Sequence, residues 1–220
     1  MINFNLSPMV KNLLILNVVI YLGMAFLARD LAPFLFDTFA LWFIDNPNFQ
    51  VWQPVTHMFM HSLDGYTHIL YNMLFLVFLG PSIENWMGSK RFLFFYLMCG
   101  IGAFLTVTAV DYYSFLFDTN AFMRDGYYRP SVGASGAVYG VMAAFIWLFP
   151  NRTMVLFPIP IPVKVKYLIG FYMIKELLAT LGIIGSSANV AHLAHIGGAL
   201  FGFIMIWYWK RNDMDKYRIY

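Results

Sequence analysis

Two glycine-rich stretches hold the residues best suited to chemistry. Gly133-Ala134-Ser135-Gly136 opens an apolar run that ends at Pro150 and contains no other strong nucleophile. Sixty positions beyond the serine, Ala194-His195-Ile196-Gly197-Gly198 sits inside a second apolar run. A serine and an imidazole are each costly in a membrane-length segment unless they line a wet cavity or react. Together they supply the nucleophile and general base of acyl transfer. A helix starting at Ser135 directs free backbone N–H groups and a positive dipole end at a reacting carbonyl. His68 and Asn72 are four residues apart, share one helix face and can both donate to the same oxyanion. Tyr139, one turn beyond Ser135, is placed to lie against the ring of His195 and orient it. No acidic residue flanks Ser135 or His195, so the expectation is a Ser-His dyad without an orienting carboxylate.

The elements that must hold these residues are apolar helices. The chain has 220 residues, 60% hydrophobic and 11% charged, whereas a soluble domain carries roughly 25% charge. Six segments, near 11–28, 67–87, 92–113, 135–149, 164–184 and 190–209, approach the roughly 20 apolar residues needed to span a bilayer. The expected fold is an all-α, polytopic, six-helix transmembrane bundle forming a single domain over residues 1–220. The first segment reads as a retained helix rather than a cleaved signal. The net charge of +3 is too balanced for nucleic acid, and a lone Cys99 allows no disulfide framework.

Basic residues orient the bundle. With the N-terminus inside, the inner flanks hold ten: Lys11, Lys90, Arg91, Arg152, Lys164, Lys166, Lys210, Arg211, Lys216 and Arg218. The outer flanks hold three, Arg29, Arg124 and Arg129, and Lys175 falls inside the fifth segment. Both termini are therefore expected in the cytoplasm. The second, fourth and sixth segments then run inward, which puts His68, Asn72, Ser135 and His195 at one outer depth. The fourth segment, 15 residues from Ser135 to Phe149, spans about 22 Å of a hydrocarbon core about 30 Å thick. Its glycine-rich start would lie within the membrane, where irregular backbone needs protein or a water-filled cavity beside it. The small-xxx-small pairs Gly136/Gly140 and Gly198/Gly202 predict a close crossing of the fourth and sixth segments at this level.

Gly133-Ala134-Ser135-Gly136, His68-Ile69-Leu70-Tyr71-Asn72 and Ala194-His195-Ile196-Gly197-Gly198 resemble, in order and depth, the three signature motifs of the rhomboid intramembrane serine proteases. The resemblance covers nearly the whole chain. It implies a serine endopeptidase with Ser135 as nucleophile and His195 as general base. It also implies oxyanion donation from His68, Asn72 and the Ser135 backbone, with Tyr139 stacked on the histidine and Gly133, Gly136 and Gly198 in support. Family substrates are single-pass transmembrane proteins cut near the outer interface, and the family uses no cofactor and no metal. Compact length and the lack of a targeting extension suggest a bacterial cytoplasmic (inner) membrane, with the site opening to the outer face. The sequence departs from the family at Trp52-Gln53, where Trp-Arg is common, and between His61 and His68, where the stretch is slightly long.

Blander readings stand beside these. Ser135 alone would cap a helix, but a cap does not require His195, His68 and Asn72 at its depth. His192 shares a face with His195 and lines the cleft or the helix mouth. His57 and His61 are four apart, a chelating spacing, yet no carboxylate joins the histidines at ligand spacing, and a structural role in the first loop is the expectation. Lys175 and Glu176 are adjacent in the fifth segment and do not share a face. Two functional alternatives are an inactive rhomboid-like protein that binds membrane clients and a small-solute or metal transporter.

Overall fold

The computed structural model describes residues 6–27, 30–125, 127–156, 159–184 and 189–212. Arg29, Lys216 and Arg218 lie outside the described residues, as does the side chain of Arg124. Among the described residues the chain forms α1 (Pro8–Leu22), extended by a π-turn at Gly23–Leu27, then α2 (Ala32–Phe39) and α3 (Gln53–Thr56). There follow α4 (Thr67–Met87), α5 (Ser89–Phe117), α6 (Thr119–Asp125) and α7 (Ser135–Leu148). A hairpin of β1 (Thr153–Leu156) and β2 (Ile159–Lys164) leads to α8 (Val165–Thr180) and α9 (Asn189–Arg211). The hairpin is antiparallel, with Thr153 opposite Lys164, and occupies what the sequence reading treats as a plain connection.

Among the described residues three helices are long and apolar enough to cross a bilayer: Pro8–Phe26, Ser89–Phe117 and Ala191–Arg211; Ser135–Leu148 is a shorter apolar helix. The short one is the centre of the molecule. Every residue of α7 from Gly136 to Phe145 is buried, and α4, α5 and α9 all pack on it. Its small residues permit this. A Cβ on Gly198 would fall on the Gly136 backbone, and one on Gly202 would fall on the Gly140 backbone. The two glycine pairs do meet, so α7 and α9 cross at backbone contact. The packing adds a third partner: Ala103 lies over Gly136, Cys99 over Gly140, and Thr106 against Gly197, all three from α5.

The corner where α1, α4 and α5 meet is tied by one carboxylate. Glu84, buried on α4, accepts hydrogen bonds from the Met9 and Val10 N–H groups at 2.9 Å each, from the Ser7 hydroxyl, and from the Ser89 hydroxyl at 2.5 Å. These donors lie at the starts of α1 and α5, where N–H groups lack intrahelical partners and an anion is favoured. The structure buries this carboxylate where the unpaired helix starts supply its donors.

The α8 helix stands at the edge, against α9. Its buried residues, Val165, Ile169, Glu176 and Ala179, are spaced four, seven and three apart, which makes one helical stripe. Glu176 therefore occupies the inward stripe and not the lipid-facing side.

Candidate active site

At the start of α7 the N-cap position is Ala134, and no side chain caps the helix. The Ser135 hydroxyl is engaged elsewhere: Ser135 Oγ lies 2.8 Å from His195 Nε2 on α9, across 60 residues of sequence. The glycine crossing brings the two helices close enough for that bond. Tyr139, one turn on along α7, stacks on the His195 ring at 4.3 Å between centroids and 5° between planes.

The loop entering α7 is pinned by the long connection between α1 and α4. Leu41 and Ser131 exchange two backbone hydrogen bonds of 2.9 and 2.8 Å, and the Gly133 N–H donates to the His57 carbonyl at 2.9 Å. Gln53, fully buried, organises that connection. It accepts from the Trp42 N–H at 3.2 Å and donates to the carbonyls of Asn48, Thr38 and Asp37 at 2.8, 3.2 and 3.3 Å. The neutral amide at the family's arginine position therefore still ties the loop together. His57 Nδ1 donates to the Gln53 carbonyl at 2.8 Å, a structural role as expected. Burial lowers the pKa of His57 to about 4, and burial with His68 nearby does the same for His61, so both are neutral at pH 7.

Gly133 has φ +128°, and a Cβ there would come within 2.7 Å of His68 Nε2. Both conditions require glycine at this position. They also locate His68 Nε2 directly above the loop that delivers Ser135. The Ser62 N–H faces His68 Nδ1 at 3.4 Å, which leaves Nε2 to carry the proton and act as donor. Asn72 Nδ2 donates one hydrogen to the His68 carbonyl at 2.8 Å and keeps a second. A cavity of about 1290 Å³ opens here, lined among others by His68, Asn72, Ser135, Tyr139, Glu176 and His195. His68, Asn72, Gly133, Ser135, Gly136, Tyr139 and His195, all singled out from sequence, line this one cavity.

One expectation is corrected. The sequence predicts a dyad without an orienting carboxylate, yet Glu176 Oε2 on α8 lies 2.9 Å from His195 Nδ1 and 2.5 Å from His192 Nδ1. This carboxylate comes from another helix, 19 residues before the histidine, and not from a flanking position. A sequence signal existed, since an ionisable residue in an apolar segment must find a partner in the bundle. Lys175 and Glu176 also meet after all, with Nζ 3.7 Å from Oε1, because the long lysine side chain bends around the helix. A carboxylate does join two histidines at ligand spacing: the donor atoms of Glu176, His192 and His195 lie within 4.8 Å of one another. Direct hydrogen bonds among the three account for this convergence.

Comparison with known proteins places this geometry. Residues 48–212 match the Rhomboid domain. The chain is 33% identical over 171 residues to RHOMBOID-like protein 12, mitochondrial, of Arabidopsis thaliana, covering 74% of this chain and 47% of that protein. It is 32% identical over 159 residues to Rhomboid protease AarA of Providencia stuartii, covering 70% and 54% respectively. With Rhomboid protease GluP of Bacillus subtilis it shares 31% identity over 153 residues, covering 69% and 25%. The chain thus spans between a quarter and about half the length of these relatives. With apolar helices of membrane length, a serine and histidine in hydrogen-bond contact, and a Rhomboid domain match over most of its length, this integral membrane protein belongs to the rhomboid family.

Proposed function

We propose that the chain is an intramembrane serine endopeptidase that cuts single-pass transmembrane proteins near the outer membrane interface. The observation that carries this reading is the 2.8 Å contact between Ser135 Oγ and His195 Nε2 at the first turn of α7. His195 takes the serine proton, and Oγ attacks the scissile carbonyl carbon. The oxyanion is held by the Ser135 N–H, His68 Nε2–H and the free hydrogen of the Asn72 amide. His195 then protonates the leaving amine, and water admitted by the cavity hydrolyses the acyl-enzyme with His195 again as base.

The same reading takes residues 1–220 as one domain of six spans, both termini cytoplasmic and the pocket opening outward. The ten-to-three excess of basic residues on one side supports it. A bacterial cytoplasmic membrane is the compartment proposed; the relatives include mitochondrial as well as bacterial proteins. Labelling by a fluorophosphonate probe and cleavage of a model transmembrane substrate in liposomes test the proposal. Both are expected in the wild type and absent in Ser135→Ala and His195→Ala. Undiminished cleavage by Ser135→Ala would sink the mechanism, and folded wild type that neither labels nor cuts would favour a client-binding protein.

A further inference from the structure

Resting on the serine-protease reading above, we propose that Glu176 is a positioning residue for His195, so that the site works as a Ser135–His195–Glu176 triad. A carboxylate only accepts hydrogen bonds, so the 2.9 Å contact requires the proton on His195 Nδ1. The lone pair then sits on Nε2, facing the Ser135 hydroxyl at 2.8 Å. This is the tautomer a general base needs, and a carboxylate on Nδ1 selects it. When His195 becomes an imidazolium, the carboxylate lies beside the new charge. The Glu176 side chain is only 5% exposed, so the attraction is screened far less than in water.

The carboxylate is itself held on several sides. His192 Nδ1 donates to the same oxygen at 2.5 Å, and Lys175 Nζ lies 3.7 Å from the other oxygen. Tyr139 holds the face of the ring by stacking on His195. His192 gains a role as the second donor that keeps Glu176 from turning away. Lys175 gains one as its nearby cation. The imidazole is clamped at Nδ1, at one face, and at Nε2 by the serine, which leaves it little rotational freedom.

The test compares full-length wild type with Glu176→Met, Glu176→Gln, Glu176→Asp and His192→Ala in liposomes, with Ser135→Ala as the blank. Glu176→Met is expected to lower kcat by about 10²- to 10⁴-fold with KM little changed, as losing an orienting carboxylate does in serine hydrolases. Fluorophosphonate labelling should slow in parallel. Glu176→Asp should recover about tenfold over Glu176→Met, and His192→Ala should lose less than about tenfold. A role confined to anchoring α8 would lower the folded fraction but leave the histidine tautomer alone. Nitrogen resonances of labelled histidine are therefore read as well: His195 should be Nδ1-protonated in wild type and a mixture in Glu176→Met. If Glu176→Met does not fold, the isosteric Glu176→Gln decides, with at least a tenfold loss expected.

The proposal is overturned if folded Glu176 variants keep wild-type kcat and tautomer while wild type still labels and cuts, an outcome that leaves the protease reading intact. It is equally overturned if chelators abolish activity and zinc restores it, because Glu176, His192 and His195 would then be serving a metal. A wild type that neither labels nor cuts fails the protease reading itself and takes this proposal with it.

Discussion

Among the described residues two carboxylates are buried, and their partners separate scaffold from chemistry. Glu84 accepts from two backbone N–H groups and two serine hydroxyls at the starts of α1 and α5. Those donors are fixed by helix geometry and have no reactive role. Glu176 accepts from two imidazoles, with a phenol and a lysine beside them, on the wall of an open cavity. Residue type and depth of burial are nearly the same, at 2% and 4% exposure. What differs is whether the donors can change protonation state and reach a substrate.

The comparison can be broken most sharply at its reactive end. Ser135→Ala is expected to lower cleavage by at least about 10⁴-fold while thermal unfolding stays where it was; a large loss of stability would mean that the site also serves as scaffold. Gly198→Val touches both ends, since its side chain must displace the Gly136 backbone. Forcing α9 away from α7 should stretch the Ser135–His195 contact and cost about 10²-fold in kcat, together with a lower unfolding temperature. Glu84→Ala should do the reverse of Ser135→Ala. Losing an ionised acceptor for four donors should destabilise by about 3 kcal/mol, seen as a lower unfolding temperature in detergent, with kcat per folded molecule unchanged. A selective loss of kcat there would erase the distinction drawn between the two carboxylates.

The most gradual effect concerns a scaffold imidazole. His57 titrates near 4 in the folded protein against an ordinary value of 6.5, because burial penalises its charge. The unfolded chain therefore binds more protons between those values, so stability is complete above about pH 6.5 and falls as pH drops toward 4. The full difference is about 3 kcal/mol for this group, spread over the whole interval. Unfolding temperatures across that range should decline, and more shallowly in His57→Gln; an identical slope would remove His57 as the cause.

Much of the fold and half of the site were readable along the chain. The six apolar segments reappear as α1, α4, α5, α7, α8 and α9 with shifts of a few residues, and the fourth begins at Ser135 as read. Hydrophobic runs and glycine spacing are local properties, so they survive in a linear reading. The β-hairpin and the short helices α2, α3 and α6 were not legible, because their segments are short and their partners lie elsewhere. Gln53 was visible only as a missing arginine. Its three carbonyl acceptors and one N–H donor come from a loop whose path no periodicity describes.

The sequence by itself determined the membrane class, the pairing of Ser135 with His195 and the helix crossing that unites them, since each rests on residue type and regular spacing. The tertiary structure alone decided what stands behind His195. Glu176 reaches His195 because α8 turns one stripe toward α9, and a helix's rotation is set by packing against its neighbours rather than by any residue beside the histidine. The same packing brought in α5 as the third wall of the crossing and made a buried Gln53 the brace of the loop that delivers Ser135.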